Sequence, residues 1–206
     1  MKSLNQTYCS RYTLDDFVYF YDLMQKTFVI TGGQGSGKTT LIKETVILLK
    51  EDRFKIGGIL AGGSWKNNRR ERFELTDIKT GDRMVYLQRE PANGWEKIRH
   101  FYINPAGQKF GEHALSIDQV KDVDLVVIDE IGPFELQGRG WAIAMKNIMD
   151  NLHIPLLITV RESLVNEVIG YFGLEVPVIF NATKITPAMV LVEIEKYLSR
   201  RSFPIT

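Results

Sequence analysis

The sequence predicts an α/β protein: a three-layer sandwich on a mostly parallel sheet, interrupted by an antiparallel β-meander. Three observations carry that expectation. Near both ends of the chain, short β-branched apolar runs alternate with helix-forming stretches, the pattern of parallel strands joined by crossover helices. One such run, residues 27–31, ends in Gly32-Gly33 and leads straight into a helix-forming segment. In the middle, residues 73–79 and 83–89 flank Thr80-Gly81-Asp82, a hairpin signature.

Composition agrees with a folded domain. The chain has 206 residues, 44% hydrophobic and 25% charged, which suffices for a core without disulfides or structural zinc. Cys9 is the only cysteine, so neither an intrachain disulfide nor a thiolate metal site is available. Lys and Arg number 26 against 25 Asp and Glu. That balance argues against a dedicated nucleic-acid binder. No apolar run approaches the ~20 residues of a membrane span, and residues 1–10 lack a signal-peptide core. The expectation is a cytoplasmic protein with no membrane partner.

Taken in order, residues 1–25 read as an extension with one helix, marked by Phe17, Phe20, Tyr21 and Met24. Residues 26–206 read as one domain, with the meander inserted at 62–103. Its first strand is 27–31 and its first helix 38–50. Residues 55–61 form a second strand, closed by Gly62-Gly63. The meander takes 73–79, 83–89 and a third strand within 95–103. A helix over 109–122 follows, then an apolar strand over 125–128, a helix over 141–152 and a strand over 154–160. Residues 161–171 are helical, 176–180 a last strand, and Thr186-Pro187 starts the final helix over 188–199.

Gly32-Gly33-Gln34-Gly35-Ser36-Gly37-Lys38-Thr39 matches the phosphate-loop pattern G-x-x-x-x-G-K-[ST]. Glycines let successive N–H groups converge on an anion and leave no side chain in the way of the phosphates. The helix that follows adds the positive end of its dipole. Candidate nucleotide-binding residues are therefore Gly33, Gln34, Gly35, Ser36, Gly37, Lys38, Thr39 and Thr40. Lys38 suits the β- and γ-phosphates and the Thr39 hydroxyl suits Mg²⁺. A chance match in a chain this long is on the order of one in a hundred. The dinucleotide pattern G-x-G-x-x-G fails, because Lys38 stands where its last glycine belongs.

The second motif is Leu125-Val126-Val127-Ile128-Asp129-Glu130, an apolar strand ending in two carboxylates. Asp129 is the candidate to hold the Mg²⁺ shell, and Glu130 to activate the attacking water. Thr159, near the end of the strand over 154–160, either probes the γ-phosphate or is a satisfied strand-end threonine.

With Asp129-Glu130-Ile131-Gly132-Pro133-Phe134-Glu135-Leu136, the two motifs resemble the cancer-related nucleoside-triphosphatase family, which has thermophile members. The resemblance spans about residues 26–200. Phe134 replaces the family's usual methionine, Arg72 stands at a usual glycine, and Asn181-Ala182 departs from a usual Asn-Arg pair. The resemblance implies a P-loop NTPase fold and Mg²⁺-dependent hydrolysis of nucleoside triphosphates (ATP, GTP or others), with loose base selectivity.

Other residues are read more plainly. No Asn-Lys-x-Asp is present to read guanine, although Asp129-x-x-Gly132 fits the short GTPase pattern. Residues 181–184 lie where a base-contacting loop belongs and also read as a turn. Glu135 either positions Glu130 and the metal shell or caps the next helix. Arg70, Arg139 and Arg161 are candidates to stabilise transition-state charge. Lys66, Arg69, Arg70 and Arg72, beside Trp65, read as a solvated loop near the phosphates. His100, His113 and His153 have no metal-ligand spacing. Two other readings share the same cradle: a small-molecule or nucleotide kinase, and a slow regulatory nucleotide-binding module.

Overall fold

The computed structural model describes residues 25–66 and 69–201. The helix expected before residue 25 lies outside them. Among the described residues nine strands form one sheet: β1 (Thr27–Gly32), β2 (Ile56–Lys66), β3 (Arg69–Asp77), β4 (Arg83–Gln88), β5 (Glu96–Ile98), β6 (Phe101–Ile103), β7 (Leu125–Ile131), β8 (Leu156–Arg161) and β9 (Val178–Asn181). Helices are α1 (Lys38–Glu51), α2 (Pro105–Ala114), α3 (Ile117–Val120), α4 (Ala142–Asn151), α5 (Val165–Phe172) and α6 (Pro187–Arg201). The strand order is β5-β6-β4-β3-β2-β7-β8-β1-β9. Strands β2, β7, β8, β1 and β9 pair in parallel, while β3, β4, β6 and β5 continue the sheet antiparallel. This is the expected α/β sandwich with a meander.

The period of two in each strand builds the layers. Val126 and Ile128 of β7 point into one apolar cluster, with Met145 and Ile148 of α4 and Val168 of α5. Leu125 and Val127 point the other way, against Leu41, Ile42 and Val46 of α1 and Val190 and Ile194 of α6. Both faces are covered, which is why β7 and β8 are apolar almost without interruption. No helix among the described residues is long and apolar enough to cross a membrane.

Five elements differ from the sequence expectation. Strand β3 starts at Arg69, four residues earlier than expected, so the basic residues read as a loop pair with β2 instead. Strand β2 does not stop at Gly62-Gly63 but runs through them to Lys66, because it pairs there with β3, Gly62 opposite Glu74 and Gly63 opposite Phe73; Gly63 lies directly under the Arg70 guanidinium and admits no side chain. The third meander strand is a hairpin of two short strands, turning at Arg99 with φ +54°. The helix expected over 109–122 starts earlier, where the Asn104 side chain accepts the Ala106 N–H at 3.0 Å, and splits after Ala114. Residues 162–164 form a 3₁₀ turn before α5 begins.

Candidate active site

The phosphate loop connects β1 to α1. Gly37 precedes the helix at φ +89° and Gly35 sits at φ +76°, conformations that favour glycine. No side chain caps α1 and its first turn carries no carboxylate, so its leading N–H groups remain available to an anion. Lys38 Nζ donates to the carbonyls of Gly32, at 3.0 Å, and Gly33, at 2.7 Å. Burial holds its ammonium below the ordinary lysine range, against the pull of Glu130.

Asp129 is fully buried at the end of β7 and satisfied on both oxygens. Oδ1 accepts the Thr159 hydroxyl at 2.7 Å and the Thr39 hydroxyl at 3.4 Å, and Oδ2 accepts the Ala61 N–H at 3.1 Å. Burial pushes its carboxyl up to about 6, with the Thr159 hydrogen bond opposing. Thr39 and Asp129, 90 residues apart in sequence, are thus brought together by β8 lying between β7 and β1.

Glu130 interrupts the pairing of β7 without ending the strand. Its φ is +74°, and the pairing of β7 with β8 slips between Ile128 and Ile131. A bulge of this kind re-aims a side chain, here at the cost of an unfavourable conformation for a non-glycine residue. The Glu130 N–H donates to Thr159 Oγ1 at 2.7 Å, so one hydroxyl serves both adjacent acids. The freed carboxylate meets Arg70 at 3.6 Å and Arg161 at 3.7 Å.

The other sequence candidates fall out differently. Thr159 is the satisfied strand-end threonine, buried and fully hydrogen-bonded. Glu135 is buried and binds the segment back on itself: Oε2 accepts the Gly132 N–H at 2.8 Å and Oε1 the Trp141 N–H at 3.3 Å, just before α4. That braces the loop ahead of α4, since the N–H accepted there is that of the residue before the helix and not of its first turn. Of the three arginines, Arg70 and Arg161 face Glu130, while Arg139 is paired with Glu96 at 2.9 Å and lies over Phe134. The basic stretch does not act as one patch, since Arg70 turns inward and Arg72 outward.

A cavity of about 720 Å³ joins the loop, Asp129 and Glu130 to the meander. Its far wall includes Phe134 of the second motif and Tyr86, Phe101 and Trp141, which no motif in the sequence marks.

A family model described as NTPase matches residues 27–185, spanning both motifs and the meander. The chain belongs to this nucleoside-triphosphatase family. Curated relatives include Nucleoside-triphosphatase THEP1 of Methanopyrus kandleri, 34% identical over 140 residues that cover 68% of this chain and 75% of the relative. The Pyrococcus abyssi protein of the same name is 28% identical over 68% of this chain and 76% of its own length. Among solved structures, a human cancer-related nucleoside triphosphatase superposes with a TM-score of 0.62 at 22% identity, covering 87% of this chain and all of its own. THEP1 from Aquifex aeolicus gives 0.59 at 22% identity, over 84% of this chain and 98% of its own. As a member of the nucleoside-triphosphatase family, the chain is an enzyme of the hydrolase class.

Proposed function

We propose that this nucleoside-triphosphatase hydrolyses nucleoside triphosphates to diphosphates and phosphate, with Mg²⁺ and little base selectivity. The observation that carries the reading is the meeting of Thr39, Asp129 and the out-turned Glu130 beside the phosphate loop. The loop N–H groups and Lys38 bind the phosphates, Lys38 releasing the two carbonyls it holds now. Two hard oxygen donors, Thr39 Oγ1 and Asp129 Oδ1, suit Mg²⁺. Among the described residues no cluster of three or more His, Cys, Asp or Glu would hold an ion without the nucleotide's oxygens. When bound, Mg²⁺ would supply charge neutralisation at the β- and γ-phosphates.

Glu130 accepts a proton from the attacking water, whose oxygen bonds to the γ-phosphorus as the nucleoside diphosphate leaves. Arg161 and Arg70, already against Glu130, lie within reach of the charge that develops. Loose base selectivity is supported by the absence of Asn-Lys-x-Asp from the sequence. A cytoplasmic setting is supported by the single cysteine. Residues 26–206 work as one domain in this reading, with 62–103 as its insertion.

The deciding experiment is phosphate release from ATP, GTP, CTP and UTP with Mg²⁺ and no added acceptor. The expected result is one phosphate per diphosphate from all four, with kcat/KM within roughly tenfold, about 1.4 kcal/mol. A preference of roughly a thousandfold for one base overturns the selectivity. No release from any overturns the hydrolysis.

A further inference from the structure

The cavity at the loop is two-sided. Strand order places β7 between the loop strand β1 and the meander, so Glu130 stands between its ends. On one side lie the loop and Arg161. On the other, beyond Arg70, the wall turns aromatic and apolar: Tyr86, Phe101, Ile103, Phe134 and Trp141. Tyr86 and Trp141 pack with ring centroids 5.0 Å apart, and Phe73 meets Phe101 edge-on at 5.2 Å. Guanidinium groups lie over these rings, Arg70 at 4.3 Å from Phe73 and Arg89 at 4.8 Å from Phe101.

The nucleoside of a bound triphosphate does not account for this end. The Thr39–Asp129 contact marks the β7 side of the loop as the side of the metal and the terminal phosphates. The rest of the nucleotide then leaves over the opposite flank. There the turn after β9 is tied to the loop strand, its Ala182 N–H donating to the Thr31 carbonyl at 2.8 Å. Residues 181–184 are not among those lining the cavity. Water does not account for it either, since one water takes about 30 Å³ and needs no aromatic wall.

We propose that the meander end of the cavity binds a second small molecule, a flat-ringed phosphomonoester of the nucleoside monophosphate class, as acceptor of the terminal phosphoryl group. The proposal rests on the reading of the loop as the triphosphate site. The ring packs against Phe101 and Phe134, with the buried Tyr86 and Trp141 behind them, as aromatic walls receive planar groups. Arg70, Arg89 and Arg99 outnumber the carboxylates of Glu130 and Glu135 on this side and favour an anion. With Arg70 next to Glu130, the acceptor phosphate sits at the junction and the ring beyond it. An oxygen of the phosphomonoester dianion bonds to the γ-phosphorus. The bond from that phosphorus to the β,γ-bridging oxygen breaks, and its electron pair leaves on the donor diphosphate. The acceptor becomes a diphosphate, with no proton transferred. When the site is empty, water takes the same group.

The test supplies γ-labelled GTP, Mg²⁺ and, in turn, AMP, GMP, CMP and UMP, and follows label in free phosphate and in acceptor. With at least one monophosphate, labelled diphosphate is expected to form, and free phosphate to fall below half of the donor consumed. Phe101→Ala and, as a second probe, Ile98→Glu at the end of β5, which also lines this cavity, are each expected to lower the acceptor-to-phosphate ratio at least tenfold. Free phosphate equal to donor consumed with all four monophosphates overturns the site while leaving hydrolysis standing. Transfer with a ratio that neither variant changes overturns it too, because the acceptor then binds elsewhere. If no donor is consumed, the hydrolysis reading falls, and equilibrium dialysis of labelled AMP decides the site: binding weakened by Phe101→Ala supports it, and no binding overturns it.

Discussion

The Thr159 hydroxyl lies 2.7 Å from Asp129 Oδ1 and at the same time accepts the Glu130 N–H, also at 2.7 Å. One side chain on β8 therefore holds both the metal-side acid and the bulge that turns its neighbour outward. Thr159→Val keeps the volume but leaves the part-buried Glu130 N–H without its acceptor and Asp129 Oδ1 with only the longer Thr39 hydrogen bond. It is expected to cost about 1–3 kcal/mol of stability, read from the denaturant midpoint. kcat should fall more than KM rises, since the loop itself is untouched. Thr159→Ser should restore most of both. Equal behaviour of Val and Ser would show that the hydroxyl is dispensable.

Lys38→Ala should leave the fold intact, because Lys38 is only half-buried and its partners are loop carbonyls. Losing charge-assisted contacts to phosphate removes about 3 kcal/mol of binding, roughly a hundredfold in affinity. Calorimetric titration of the triphosphate checks it. Unchanged affinity with a normal melting curve would refute the assignment of the loop.

The strain at Glu130 and its chemistry can be separated by three substitutions there, with Asp129→Asn beside them. Glu130→Gln removes the basic oxygen, so kcat should drop by about 10²–10⁴ with affinity within a few-fold. Asp129→Asn should instead weaken the dependence on Mg²⁺. Glu130→Ala and Glu130→Gly both remove the base, but glycine adopts φ +74° without strain and alanine only at a cost. The glycine variant should be the more stable of the two by about 1 kcal/mol. A more stable alanine variant would mean that the bulge relaxes once the carboxylate is gone.

Glu135 links stability to pH. Burial pushes its carboxyl from an ordinary 4.5 up to about 7, opposed by the N–H groups it accepts. The folded state therefore binds the proton more tightly than the unfolded chain. Its contribution is complete below pH 4.5 and is lost as pH rises through about 7. The loss is at most about 3 kcal/mol. Glu135→Gln cannot titrate, so the difference in Tm between variant and parent should shift in the variant's favour between pH 5 and 8. A difference that stays constant across that range would contradict the burial of a protonated carboxyl.

The sequence by itself determined the sandwich, the phosphate loop and the acidic strand end. Those features are local: a run of apolar residues, a glycine spacing and a strand terminus are each written in consecutive positions. It also marked Thr159 and Glu135, but left each with two roles, because the choice depended on what stood opposite. Tertiary structure made that choice for Thr159 by laying β8 between β7 and β1, which seats it under Asp129. It alone turned Glu130 out of its strand at a bulge that no residue pattern announces. It alone carried β2 through two glycines so that Arg70 crosses Gly63 to reach Glu130. The aromatic wall from Tyr86, Phe101 and Trp141 is likewise a product of packing, since those residues lie on separate segments and share one cavity only because the meander continues the sheet beyond β2.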